Sequence, residues 1–182
     1  MKAALIVIDM IIEFVYGSLA IKDAEKIIPK IKELLKIARD KGMPVIFTND
    51  AHEVGDPELE VWGPHAVKGS DSAKVIPDFE VEESDYIVEK RTYSGFFNTD
   101  LEGILRLSEV DTIILTGVAT SICVQHTAAD AFYRGWKIIV VSDATADIDE
   151  EKHKNALETM KKLYGAKIMT TEEVKNLLLG IS

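Results

Sequence analysis

One cysteine, Cys123, serves the whole 182-residue chain. An intramolecular disulfide and a multi-thiolate metal cluster are therefore excluded, which suits a reducing, cytoplasmic setting. Basic side chains are also outnumbered: 21 Lys and Arg stand against 31 Asp and Glu, a formal charge of −10. Nucleic acid and anionic membranes are met with basic surface, so neither is expected as a partner. Long apolar runs are missing too. The opening stretch MKAALIVIDMIIEF is broken by Asp9 and Glu13, and nowhere does the chain reach the ~18–20 uninterrupted apolar residues that span a bilayer. No small-residue cleavage site follows that stretch, so it reads as a first core strand and not as a signal peptide. Internal repeats, low-complexity tracts and Pro/Gly/Ser linkers are absent as well, which predicts one domain over residues 1–182.

What is present is a set of short apolar runs: AALIVI (3–8), PVIFTN (44–49), DYIVE (85–89), DTIILTG (111–117), KIIVVSD (137–143) and AKIMT (166–170). Rich in Ile and Val and nearly continuous in hydrophobicity, they read as strands buried on both faces, as in a parallel sheet covered by helices. Helical patterns lie between most of them. In 24–41 Ile27, Ile28, Ile31, Leu34, Leu35 and Ala38 recur at helical spacing, and Pro29 predicts a start as late as residue 27 or 28. Residues 120–134 form another helix, Asp149 caps a third through about Leu163, and Thr170 with Glu173 forms a capping box for a fourth. The expected architecture is a three-layer α/β/α sandwich with a mainly parallel sheet and right-handed crossovers. Residues 50–84 show no periodicity, and irregular excursions of that length are usually functional.

In open α/β sheets ligands bind beyond the carboxyl ends of the strands. Asp9 follows the first predicted strand, Asp50 and His52 the second, Lys90 the third, and Cys123 lies just past the fourth. Four successive strands thus deliver a titratable or nucleophilic group to one edge, and the chemistry this suggests is thiolate catalysis. A free thiol has a pKa of about 8.5; a helix N-terminus and Lys90 would both favour the anion. Asp9 is placed to take the thiol proton and return it to a leaving amine, and backbone N–H groups of GVATSIC would serve the oxyanion. Each residue has a plainer alternative: Cys123 as a small buried hydrophobe, Asp9 as a cap, Lys90 as a solvated surface charge. Likewise Asp50, His52 and His65 offer one carboxylate and two imidazoles to a divalent ion, or are simply solvated loop residues.

The motifs ALIVIDMIIEF, VEKRTYSGFFNTDL and LTGVATSICVQHTAADAFYRGWKIIVVSDATA resemble the isochorismatase-like cysteine hydrolases, a superfamily that includes nicotinamidases and N-carbamoylsarcosine amidases. The likeness runs through nearly the whole chain. It implies a six-stranded sheet, a catalytic set of Asp9, Lys90 and Cys123, and a non-proline cis peptide between Val118 and Ala119. The N–H groups of Ala119 and Cys123 would then face the oxyanion. Isochorismatases proper lack the cysteine, so Cys123 implies hydrolysis of a C–N bond through a thioester with release of ammonia.

The resemblance further implies a divalent metal, zinc being favoured, on Asp50, His52 and His65. It also implies a pocket that includes Trp62 and Phe14, although core packing explains those two equally well. Thr120 and Ser121 match carbamoylsarcosine-type sequences, in which hydroxyls bind a substrate carboxylate. Two departures leave the substrate open between nicotinamide and an N-carbamoyl amino acid: Ile11 replaces a usual Gln, and Ala51 a usual Trp. Arg91 is expected in an exposed ion pair, and His126 and His153 on helix faces without catalytic duty. The expected partner is a small amide, and relatives that assemble as dimers or tetramers imply a homo-oligomer. A non-enzymatic phospho-receiver using Asp9 and Lys90 is the rival reading; it leaves Cys123 and the 50–84 excursion unexplained.

Overall fold

The computed structural model describes residues 1–181. Six parallel strands, β1 (Ala3–Ile8), β2 (Val45–Asp50), β3 (Tyr86–Lys90), β4 (Thr112–Val118), β5 (Lys137–Ala146) and β6 (Lys167–Met169), form one sheet in the order β3-β2-β1-β4-β5-β6. All of β1, β2 and β4 is buried, as their unbroken Ile/Val content requires for strands covered on both faces. Within β1 the alternation still holds: Ala3, Leu5 and Val7 enter one core cluster, Ala4, Ile6 and Ile8 the other. The first cluster lies under α1 (Ile12–Tyr16), α2 (Ala24–Asp40) and α7 (Thr171–Leu179); the second lies under α4 (Leu101–Leu107), α5 (Gln125–Tyr133) and α6 (Glu150–Tyr164). These are the three expected layers. Among the described residues no helix is long and apolar enough to cross a membrane.

Several local features differ from expectation. α2 begins at Ala24, with Pro29 inside it. Burial of Ala24, Ile27 and Ile28 on the core holds the first turn even though proline removes one rung of the ladder. β5 continues to Ala146, and the helix expected from residue 120 opens as a π-helical turn, Thr120–Val124, before α5. The excursion after β2 holds α3 (Pro57–Trp62) and two 3₁₀ turns. The Asp149 cap and the Thr170–Glu173 capping box are both present.

After β3 the chain returns across the sheet, so the strand order reverses between β1 and β4, the place where doubly wound sheets open a ligand crevice. β4 is tight against β1 here. Gly117 has φ +104°, and a Cβ on it would lie 2.0 Å from the Ile8 carbonyl oxygen. Only glycine lets the two backbones approach so closely.

Candidate active site

Asp9 leaves β1 with φ 52°, a left-handed conformation that a non-glycine residue holds only when its surroundings impose it. Its Oδ1 accepts the Asp50 N–H at 2.8 Å. Its Oδ2 is paired with Lys90 Nζ at 2.9 Å but receives no aligned hydrogen bond, which leaves a lone pair for a thiol proton. Lys90 is fully buried; its Nζ also contacts Asp50 Oδ1, the Thr92 carbonyl at 3.1 Å and Cys123 Sγ at 3.5 Å. Ligand atoms of Asp9, Asp50 and Cys123 all lie within 4.8 Å of one another. The structure thus brings residues 9, 90 and 123 to one rim of the sheet, and the surface-charge alternative for Lys90 is excluded by its burial. The Val118–Ala119 peptide is cis.

The electrostatics differ from the expectation of a standing thiolate. Burial, followed by the charge of Asp9, raises the Cys123 thiol well above its usual range, and Lys90 only partly offsets them. Burial and the nearby Asp50 push Asp9 up to about 6. Burial disfavours the charge on Lys90, but Asp50 and Asp9 outweigh it and raise its pKa well above the lysine norm. In this arrangement burial favours the protonated sulfur, and the Asp9 carboxyl lies beside it.

A second cluster shares Asp50. Ligand atoms of Asp50, His52, Glu58 and His65 lie within 4.8 Å of one another. His52 Nε2 is 3.5 Å from Asp50 Oδ2 and 3.5 Å from Glu58 Oε2. Both imidazoles are held from behind, His52 Nδ1 by Asp56 Oδ2 at 3.2 Å and His65 Nδ1 by the Gly63 carbonyl at 2.7 Å. Each Nδ1 therefore carries the proton, and each Nε2 offers a lone pair. His52 Nε2 and Glu58 Oε1 are buried without a hydrogen-bond partner, a costly state for polar atoms that a divalent cation would relieve. The donor set of two imidazoles and two carboxylates fits Zn²⁺, Mn²⁺ or Fe²⁺. Burial and Asp50 push Glu58 up to about 7. Arg91 anchors Asp56 and holds that carboxyl at about 2.

Glu58 and Asp56 escape the sequence reading because both sit in the aperiodic excursion, and their burial depends on where it folds. A carboxylate six residues from His52, in a segment already carrying two histidines, was the one available signal.

Between the clusters lies a cavity of about 260 Å³, lined by Asp9, Cys123 and Ala119 and walled by apolar side chains that include Phe14, Leu19, Ile122 and Ile148. Trp62 lines it too, donating from Nε1 to the Tyr93 hydroxyl at 3.1 Å. Phe14 also belongs to the core, so for this residue both readings apply. Thr120 and Ser121 are a correction: neither lines the cavity. The Thr120 hydroxyl is fully buried against His153 Nδ1 at 2.8 Å, which takes the group expected to meet substrate, and the Ser121 backbone is held away by its N–H, which donates to Asp147 Oδ2 at 2.6 Å. His153 is accordingly no idle helix-face residue. His126 Nδ1 meets the Ile122 carbonyl at 2.7 Å, and its ring lies 5.3 Å from that of Tyr93.

The profile of the isochorismatase domain matches residues 3–173. The chain belongs to the isochorismatase family. The N-carbamoylsarcosine amidase of Thermoplasma acidophilum is 42% identical in sequence, and its crystal structure superposes with a TM-score of 0.90 over 95% of this chain and 98% of that one. The pyrazinamidase of Pyrococcus horikoshii, crystallised in complex with zinc, is 34% identical with a TM-score of 0.86 over 93% and 99%. An uncharacterized isochorismatase family protein, PncA, of Bacillus subtilis (strain 168) is 36% identical over 92% of this chain and 99% of its own. Relatives with named activities include nicotinamidases and an N-carbamoylsarcosine amidase, alongside an enterobactin synthase component of Escherichia coli and a probable inactive nicotinamidase of Arabidopsis thaliana.

Proposed function

We propose that this protein is a cysteine amidohydrolase that cleaves the C–N bond of a small, uncharged carboxamide through a thioester. The observation that carries this reading is the meeting of Asp9, Lys90 and Cys123 at the floor of an apolar cavity. Asp9 takes the proton from Sγ as the sulfur attacks the carbonyl carbon. The developing oxyanion is met by the N–H groups of Ala119 and Cys123. Lys90 holds both neighbouring carboxylates in place and balances their charge. Collapse of the tetrahedral adduct breaks the C–N bond, Asp9 protonates the leaving nitrogen, and ammonia departs. A water molecule then attacks the thioester, with Asp9 again as base, and releases the carboxylic acid.

Asp50, His52, Glu58 and His65 would hold a divalent ion, zinc by analogy with the relative crystallised with it. Such an ion supplies a Lewis acid at the cavity wall that can ligate a ring nitrogen or a water. Substrate charge separates two readings. Among the described residues no Lys or Arg lines the cavity; Lys90, behind its floor, is already paired with two carboxylates, and Arg91 is committed to Asp56 and Glu53. An aromatic carboxamide such as nicotinamide fits this lining better than an anionic N-carbamoyl amino acid. The 42% identity to an N-carbamoylsarcosine amidase favours the second reading. Measuring ammonia release from nicotinamide, pyrazinamide and N-carbamoylsarcosine decides between them. Cys123→Ala and Asp9→Asn should each lower turnover by at least about a thousandfold in a folded protein; undiminished ammonia release by Cys123→Ala would end the proposal.

A further inference from the structure

Thr120 and Ser121 flank the nucleophile, yet neither faces the cavity, and His153 and Asp147 have no part in the chemistry above. These four residues form a single arrangement. The turn Thr120–Val124 is π-helical, so it lacks the regular i→i−4 ladder that would hold an α-helical first turn by itself. Its internal support includes the Ala119 carbonyl, which accepts the N–H groups of Ile122 at 3.1 Å and Val124 at 3.2 Å, and the Gln125 N–H, which reaches the Thr120 and Ile122 carbonyls. Two further anchors come from the connection between β5 and α6 and the start of α6. Asp147 is buried with both oxygens occupied, Oδ2 by the Ser121 N–H at 2.6 Å and Oδ1 by the Ile148 N–H at 2.7 Å. His153, from the first turn of α6, meets the buried Thr120 hydroxyl through Nδ1 at 2.8 Å. Burial lowers the pKa of the His153 ring, which favours its neutral form. A neutral ring and a hydroxyl can share one proton in this contact, and which of the two donates follows the tautomer.

We infer that His153 and Asp147 are positioning residues that brace the nucleophile turn, fixing Cys123 Sγ and the neighbouring Ala119 N–H through Thr120 and Ser121. The inference rests on the cysteine-hydrolase reading for its consequence in turnover, but the brace itself is measured independently of any substrate. Ile148 lies in the same connection and lines the cavity, so one segment sets both the attacking atom and a wall of the substrate space. A small displacement of a nucleophile costs rate far more than it costs binding.

The test uses Thr120→Val and His153→Phe, which keep shape and remove one partner each, their double variant, and the conservative Thr120→Ser and His153→Asn. Because Cys123 is the chain's one cysteine, mass-spectrometric iodoacetamide alkylation reports on it alone. Each disruptive variant should alkylate at least about threefold faster, because a loosened turn exposes a thiol that is otherwise buried. Each should also lower kcat about tenfold with KM within about twofold, and the double variant should lose no more than the worse single one. Thr120→Ser and His153→Asn should stay close to the unaltered protein. Alkylation at the unaltered rate in folded Thr120→Val and His153→Phe overturns the brace, and so do additive losses in the double variant. Should the buried Thr120→Val fail to fold, His153→Phe alone decides through the same two readouts. Lack of ammonia release by the unaltered protein would count against the hydrolase reading and leave the alkylation result standing.

Discussion

Cys123 and Lys90 occupy the same buried rim but depend on it differently. Replacing Cys123 with Ala removes an uncharged thiol, so the fold should keep its stability while activity disappears. Lys90 sits between two carboxylates, and Lys90→Met would leave Asp9 and Asp50 facing each other unneutralised. Removing one partner of a buried ion pair costs about 3–5 kcal/mol. Urea denaturation should therefore show Lys90→Met far less stable than Cys123→Ala; equal midpoints would contradict the charge balance described here. The pH profile follows from Asp9. Its carboxyl titrates at about 6 and works as a base only when ionised. The quantity kcat/KM should therefore fall as pH drops through about 6 and level off above it, and a flat profile from pH 5 to 7 would exclude Asp9 as the base. Residues 9, 50, 52, 90 and 123 were legible in the sequence because each follows an apolar run, and His65 only through the family resemblance. The resting protonation of Cys123 was not, because it is set by a desolvation that only the packed rim imposes.

At the level of single elements, glycines separate two kinds of constraint. Gly117 has positive φ and no room for a side chain against Ile8, so Gly117→Ala should cost about 3 kcal/mol or more and displace β4 from β1. Gly103 lies within α4, and a Cβ there would meet nothing within 4 Å. Gly103→Ala should stabilise by about 0.5–1 kcal/mol. Thermal melts of the two variants should shift in opposite directions, and a shared sign would refute the contrast. Strand runs and the Thr170 capping box could be read directly, since both are local patterns of side chains. The start of α2 was misjudged because Pro29 is a local signal, whereas Ala24, Ile27 and Ile28 are held by a distant core. The short helices α1 and α4 carry too little periodicity to announce themselves.

For the molecule as a whole, the aperiodic stretch after β2 joins the core through Ala66, Ile76 and Phe79 and adds a buried polar cluster around His52. A metal bound there stabilises the native state by mass action, about 2.7 kcal/mol at a hundredfold excess over Kd. Zinc added to chelator-treated protein should raise its melting temperature, and His52→Ala should abolish the rise. No shift at saturating zinc would remove the metal site. The sequence by itself determined the layered parallel sheet, the end of it that carries the chemistry and the side chains delivered there, because burial on two faces and strand order leave a periodic trace. Tertiary structure alone decided that Glu58 and Asp56 join the histidines, that the Thr120 hydroxyl and the Ser121 N–H turn inward to His153 and Asp147, and that burial favours the protonated sulfur. Those outcomes depend on distances between residues far apart in the chain and on the exclusion of water from the space they enclose, and no local pattern encodes either.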